Sequence, residues 1–229
     1  MDRETVAKIK SVRIQISNLC NMSEQHVKCP AHYVDDDKCR SMPSRTVSKI
    51  LQDLADIGFT GNVGFHTYND PLVDPRLFSF IDWSRVTLPK SDVVIYTNGE
   101  YLTDIIVAEL IEKRVRIIVS TYTQHTADLC RRFGLETCSE GFDDRLNGYA
   151  RAQSEYRHPC YAPLSQLIID VDGNVNLCCF DWASSVCFGD VNKSTIKEIL
   201  AHSQMTMTYD RLKVGIRDFD ICKRCATSR

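Results

Sequence analysis

Eleven cysteines stand at positions 20, 29, 39, 130, 138, 160, 178, 179, 187, 222 and 225. In a reducing compartment, clustered cysteines more often ligate metals or do redox chemistry than pair as disulfides. Two groups have informative spacing. The C-terminal group reads Cys160, then Gly173, then Cys178, then Cys222-x-x-Cys225. Two cysteines two apart can present both thiolates to one centre, and a hairpin can deliver another pair from a distance. Four such thiolates suit either Zn²⁺ or an iron–sulfur cluster. Neighbouring strand residues point to opposite faces, so only one of Cys178 and Cys179 should ligate, and the four-residue interval after Gly173 favours Cys178. The N-terminal group, Cys20, Cys29 and Cys39, lies in one polar loop. Three thiolates can hold a 4Fe–4S cluster that keeps one iron open. His26 and His32 flank Cys29, so a zinc site is the alternative in this loop. Cys130, Cys138 and Cys187 read as small buried hydrophobes.

The elements that must carry these groups alternate. Strands are expected over 12–17, 63–66, 93–96 and 116–120. Helices are expected over 44–57, 75–83 and 102–112, the first capped by Ser44 or Thr46 and stopped by Gly58, the third apolar on most sides and well buried. This rhythm predicts an α/β fold with a parallel sheet and βα crossovers, and the N-terminal cysteines then follow the first strand, at the end where α/β barrels carry their sites. Beyond 123 the signal weakens to a helix over 126–133 and a strand over 135–138. A hairpin over 164–171 and 174–178, turning at Asp172-Gly173, and a helix over 194–203 complete the chain. A domain boundary near 155 divides residues 1–155 from residues 156–229.

The 229 residues are 43% hydrophobic, with a net charge of −2 from 28 basic and 30 acidic side chains. That balance offers no broad basic field for a nucleic-acid backbone. The N-terminus lacks the apolar core of a signal peptide, and apolar runs are strand-length, short of the ~20 residues that span a bilayer. A cytoplasmic protein with neither nucleic-acid nor membrane partner is expected.

In order along the chain, Cys20-Asn21-Met22, Met42-Pro43, Tyr68-Asn69-Asp70-Pro71-Leu72, Thr97-Asn98-Gly99, Phe142-Asp143-Asp144-Arg145 and the spacing Cys160…Gly173-x4-Cys178…Gly189-Asp190-Val191…Cys222-x-x-Cys225 resemble a radical S-adenosylmethionine enzyme with a SPASM- or twitch-type auxiliary domain. The resemblance covers most of the chain. Two departures stand out. The first three cysteines are spaced C-x8-C-x9-C in place of the family's C-x3-C-x2-C, and Lys38 replaces the aromatic residue before the last of them, which leaves Tyr33 as the candidate for packing adenine. Only about 40 residues separate Ser120 from Cys160, so the resemblance implies a truncated, laterally open partial (β/α) barrel followed by a small α+β SPASM/twitch-like domain.

The same resemblance implies two 4Fe–4S clusters. One, on Cys20, Cys29 and Cys39, binds S-adenosylmethionine; the auxiliary one sits on Cys160, Cys178, Cys222 and Cys225. Reductive cleavage of S-adenosylmethionine, fed by an external electron donor, yields a 5′-deoxyadenosyl radical that abstracts a substrate hydrogen. Asp70 is expected to accept from the methionyl ammonium beside backbone at Tyr68 and Asn69. Thr97 and Asn98 are also expected to touch the cofactor, and Ser120 its ribose or carboxylate. The expected substrate is a ribosomally made precursor peptide, because an open barrel suits a chain and SPASM-type enzymes are frequently peptide maturases. With about ten residues before the first strand, leader recognition is expected from a separate small protein. The alternatives are a small polar metabolite such as a sugar or nucleoside, a non-enzymatic zinc-binding module, and a degenerate inactive subunit.

Overall fold

The computed structural model describes residues 9–33, 39–142, 144, 146 and 158–225. The division at 155 and Lys38 lie outside the described residues. Five strands, β1 (Ser11–Ile14), β2 (Asn62–Gly64), β3 (Asp92–Thr97), β4 (Arg116–Thr121) and β5 (Glu136–Glu140), pair in parallel in sequence order. Helices α1 (Ser44–Asp56), α2 (Leu77–Thr87), α3 (Asp104–Glu112) and α4 (Gln124–Phe133) connect them. A short helix α5 (Ala162–Ser165) leads into β6 (Gln166–Ile169), which pairs parallel with β1, and β7 (Asn174–Asn176) and β8 (Cys187–Asp190) follow antiparallel. One eight-stranded sheet results, ordered β5-β4-β3-β2-β1-β6-β7-β8. Helices α6 (Ile196–Ala201), α7 (Ser203–Lys213) and α8 (Asp220–Arg224) close the chain.

The C-terminal segment therefore continues the β1 edge of the parallel sheet. Burial explains the strength of the join: Val12, Ile14, Ile169 and Val175 are all fully buried in one core. A polar seam adds to it. The buried Asp53 on α1 accepts from Lys49 Nζ at 2.7 Å and from the Ile196 N–H at 3.0 Å, while Lys49 also reaches the Ser194 carbonyl. A carboxylate on the first turn of α6 satisfies an otherwise orphaned helix donor.

Three local expectations change. Helix α1 starts after Pro43 with no side-chain cap, so neither Ser44 nor Thr46 caps it. Thr46 Oγ1 instead donates to Asn192 Oδ1 at 2.9 Å, across the seam. In α3, Val107 and Leu110 are buried but Ile105 is 79% exposed and Ile111 52%, so an apolar sequence did not mean burial on all sides. Of the three cysteines read as core, only Cys130 is buried; Cys138 and Cys187 are exposed. Among the described residues, no helix is long and apolar enough to cross a membrane.

Candidate active site

The loop after β1 is pinned where it leaves and where it returns. Ser17 bridges Ser41, the Asn18 N–H donates to the Arg40 carbonyl at 3.0 Å, and the Arg40 N–H donates back to Asn18 Oδ1 at 2.8 Å. Cys20 and Cys39 thus flank a closed neck despite the 18 residues between them. Within the loop, tight turns join Ser23 to Cys20, His26 to Met22 and Cys29 to His26. Cys20 and Cys29 line a cavity of about 550 Å³, together with Tyr68, Asn69, Asp70, Thr97, Asn98 and Ser120. All six expected cofactor-binding positions therefore meet two of the three expected cluster cysteines around one space. Cys39, exposed at the neck, does not line it.

Asp70 ties this site together. It is 3% exposed, and its carboxylate accepts from Thr97 Oγ1 at 2.8 Å, the Asn98 N–H at 2.7 Å and the Leu72 N–H at 3.0 Å. Burial pushes its pKa up, while these three donors hold it down. With three donors already engaged, the chief work of Asp70 is to fasten the segment after β2 to the Thr-Asn-Gly turn after β3. Gly99 completes that turn at φ +81°, where a Cβ would lie 2.9 Å from Val119 Cγ1, so only glycine fits. Asn98 then points back at the loop: its Nδ2 donates to Asn21 Oδ1 at 2.7 Å and lies 3.9 Å from Cys20 Sγ. Asn69 serves its own turn, accepting from the Thr67 N–H at 3.1 Å and donating to the Phe65 carbonyl. Ser120 Oγ lies 3.3 Å from Cys138 Sγ.

Burial pushes the Cys20 thiol up to about 11, with the negative charges of Asp70 and Cys29 adding to it. A thiolate there needs a compensating cation, which iron would supply. The zinc set of Cys29 with His26 and His32 does not converge. His26 packs edge-on against Tyr122 and against Phe142, and His32 Nδ1 lies 2.9 Å from the Ser23 carbonyl. Among the described residues, no three His, Cys, Asp or Glu side chains could hold a single metal ion. Tyr33 is 56% exposed, against His32, and does not line the cavity. The aromatic groups that do line it near the cysteine loop are His26 and Tyr122, the latter stacked on Phe142 at 4.7 Å. Of the 142–145 motif, Asp143 and Arg145 lie outside the described residues.

The second cysteine group surrounds a small, almost wholly apolar pocket lined by Cys160, Cys178, Cys222 and Cys225. The Cys160 N–H is held by the Leu212 carbonyl at 2.9 Å, and Cys222 and Cys225 stand on and just after α8. Cys178 follows β7 in a loop organised by two aspartates. Asp170 accepts from the Asn174 N–H at 2.8 Å and from Ser184 Oγ at 3.1 Å. Asp181 accepts from the Ser185 and Val186 N–H groups, each at 2.9 Å. Burial raises the Cys160 and Cys178 thiols and pushes Cys222 up to about 12. Four thiols, one buried and three partly buried, around one apolar space are a poor resting arrangement for thiolates alone and fit an iron–sulfur cluster. Arg217, 4% exposed, stands where its charge favours the Cys160 and Cys222 thiolates, and its Nη1 donates to the Cys225 carbonyl at 3.1 Å. Sequence reasoning passed over Arg217, although a basic residue five before the Cys-x-x-Cys was the available signal.

Cys178 and Cys179 part, Cys178 to the small pocket and Cys179 to the large cavity, although both lie in the loop after β7 and not on a strand as expected. Phe180 lines both, and the Tyr68 hydroxyl donates to the Cys179 carbonyl. The two spaces are separated by little more than this dipeptide.

The comparisons agree with this division. The fold and the two cysteine sets define an α/β protein with an iron–sulfur module at its C-terminus, and residues 160–226 match the family model of SPASM, an iron-sulfur cluster-binding domain. Over 233 residues, 93% of this chain and 91% of the relative, the sequence is 23% identical to an S-adenosyl-L-methionine-dependent 2-deoxy-scyllo-inosamine dehydrogenase of Niallia circulans. The structure is similar to that of BtrN in complex with AdoMet and 2-DOIA, with TM-score 0.82 and 22% identity over 96% of this chain and 93% of that one. It is also similar to anSMEcpe with bound AdoMet, with TM-score 0.64 and 12% identity over 94% and 86%. Streptococcus suis SuiB bound to the precursor peptide SuiA gives TM-score 0.58 and 12% identity over 97% and 74%. The chain therefore shares its fold with these AdoMet-bound proteins, and its residues 160–226 match the SPASM domain.

Proposed function

We propose that this chain is a radical S-adenosylmethionine enzyme that abstracts hydrogen from a small polyhydroxylated metabolite, in a reaction of the dehydrogenase class. The observation that carries the reading is the single 550 Å³ cavity. It joins Cys20 and Cys29 to the Tyr68–Asp70 and Thr97–Asn98 segments around one space, as cleavage of a cluster-bound S-adenosylmethionine needs. The name of the Niallia circulans relative supports a compact polyol over a peptide.

When bound, a cluster on Cys20, Cys29 and Cys39 would supply the electron that cleaves the sulfonium of S-adenosylmethionine. The chain's own residues do the rest. Asn98 braces the cysteine loop through Asn21 and faces Cys20 Sγ. Asp70 fixes the backbone of both strand-end turns, so Tyr68 and Asn69 present preorganised backbone groups to the methionyl end. His26 and Tyr122 offer aromatic surface for the adenine and help exclude water. Cys160, Cys178, Cys222 and Cys225 would hold the auxiliary cluster beside the cavity, with Arg217 offsetting its negative charge.

A peptide substrate presented by a separate leader-binding protein is the second reading, supported by the likeness to SuiB bound to its precursor peptide. The deciding experiment incubates anaerobically reconstituted protein with S-adenosylmethionine, a reductant, and either polyols or peptides encoded by neighbouring open reading frames. Polyol-dependent 5′-deoxyadenosine with an oxidised product supports the metabolite reading. A mass change confined to a peptide overturns it.

A further inference from the structure

The face of β1 opposite the core carries an arginine whose charge no described residue compensates. Val12 and Ile14 are fully buried, whereas Arg13 is half-buried and turns to the opposite face of the strand. It lines both the 550 Å³ cavity and a second one of about 240 Å³, as do His66 and Tyr96. Its guanidinium carbon sits 5.2 Å from the centre of the Tyr96 ring, and that ring packs against His66 at 4.6 Å. Among the described residues this stacking is its one polar interaction: no carboxylate pairs with it and no oxygen accepts from it. Arg40, Arg76, Arg116 and Arg211, by contrast, each pair with an aspartate or glutamate.

The surroundings share this imbalance. Among the described residues, the carboxylates lining the larger cavity are Asp70, engaged by three donors, and Asp144, which faces Lys28 and accepts from the Leu146 N–H. The smaller cavity is lined by Lys10 and Arg116 as well as Arg13, and by no carboxylate among the described residues. A partly desolvated guanidinium without a counter-charge is costly, and its planar fork matches a carboxylate or phosphate in two parallel hydrogen bonds. Stacking on Tyr96 fixes the plane of that fork. Thr67 Oγ1 and Ser139 Oγ, both buried without a protein partner, line the larger cavity and suit hydroxyl groups.

We infer that Arg13 recognises an anionic group on the substrate, which is then a hydroxylated carboxylate or phosphate ester such as a sugar acid or sugar phosphate. The inference rests on the small-metabolite reading above and deepens it. It also separates this chain from an aminocyclitol dehydrogenase, since an ammonium would meet Arg13 with no free carboxylate among the described lining residues to receive it.

The test titrates reconstituted holoprotein, saturated with S-adenosylmethionine, with glucuronate, glucose 6-phosphate, glucose and glucosamine, in wild type, Arg13→Gln and Arg13→Lys. At least one anionic probe is expected to bind roughly tenfold or more tighter than glucose, the effect of a charge-assisted hydrogen bond. Arg13→Gln should erase that preference and Arg13→Lys retain part of it, with iron content and melting temperature as folding controls. Which anion wins tells carboxylate from phosphate. Glucosamine binding tightest, no measurable binding by either anion, or a preference intact in Arg13→Gln overturns the inference. So does a variant that weakens S-adenosylmethionine binding alone, which would assign Arg13 to the cofactor's own carboxylate. Should Arg13→Gln fail to fold, the wild-type ranking and Arg13→Lys decide. Failure of the radical reading shows separately, as no 5′-deoxyadenosine from the wild type.

Discussion

The two cysteine sets are built on opposite plans. The C-terminal four stand on or beside short elements and line a small apolar pocket. The N-terminal three belong to one long loop, and two of them face a large polar cavity that also receives residues from four strand ends. A closed set of four thiolates leaves no position for an outside ligand; an open set of three leaves one. This is the distinction between structural and catalytic metal sites, in which the open coordination position is where substrate enters. The closed set is suited to holding or passing electrons, and the open set to chemistry. The two meet at Cys178–Cys179–Phe180, where Phe180 lines both spaces.

The largest expected effect separates the sets outright. Replacing Cys20, Cys29 and Cys39 together with Ala should abolish 5′-deoxyadenosine formation while leaving about four irons per chain, against about eight in the wild type. Iron and sulfide analysis after anaerobic reconstitution checks this, and equal iron in both proteins would break the comparison. Replacing Cys178 and Cys222 should instead remove the other four irons and lower the melting temperature, because those side chains are also part of the packed core.

Asp70→Ala comes next. It strands the Thr97 hydroxyl and the Asn98 and Leu72 N–H groups, at a cost of roughly 2–4 kcal/mol. S-adenosylmethionine affinity should fall about tenfold or more as the two turns loosen. Denaturant unfolding paired with calorimetry reads both. Loss of affinity at unchanged stability would show that the carboxylate meets the cofactor directly and is not a brace.

Smaller effects sharpen the contrast. Arg217→Gln removes a buried positive charge beside the closed set and should lower that cluster's reduction potential by on the order of 100 mV, with the open cluster unmoved. Redox titration followed by electron paramagnetic resonance resolves the two. Asn98→Ala removes the bond to Asn21 and the contact with Cys20, and should slow S-adenosylmethionine cleavage only a few-fold, because hydrogen bonds at the loop neck remain.

How much of this was legible in the sequence follows from how local each determinant is. The βα rhythm was, because burial on the sheet's helical face imposes its own periodicity on residues such as Val47, Ile50, Leu51 and Leu54. The gathering of Tyr68, Asn69, Asp70, Thr97, Asn98 and Ser120 at one cavity was legible too, since strand ends of a parallel sheet share one rim. The saturation of Asp70 was not: beyond the Leu72 N–H of its own turn, its other two donors lie 27 and 28 positions away, and nothing near it in sequence reports them. The exposure of Cys138 and Cys187 was equally hidden, because it depends on which edges the sheet leaves uncovered. The joining of β6 to β1 was missed for a related reason. A hairpin's sequence specifies its own turn, while the strand it borders is decided by the core it completes.

The central claim is that the open cysteine set does radical chemistry beside a closed, supporting one. Its most direct test is 5′-deoxyadenosine production from S-adenosylmethionine by reconstituted, chemically reduced protein, in wild type and in the Cys20, Cys29, Cys39→Ala variant. The account predicts product from the wild type and none from the variant. Product from both, or none from a wild type holding about eight irons, would contradict it.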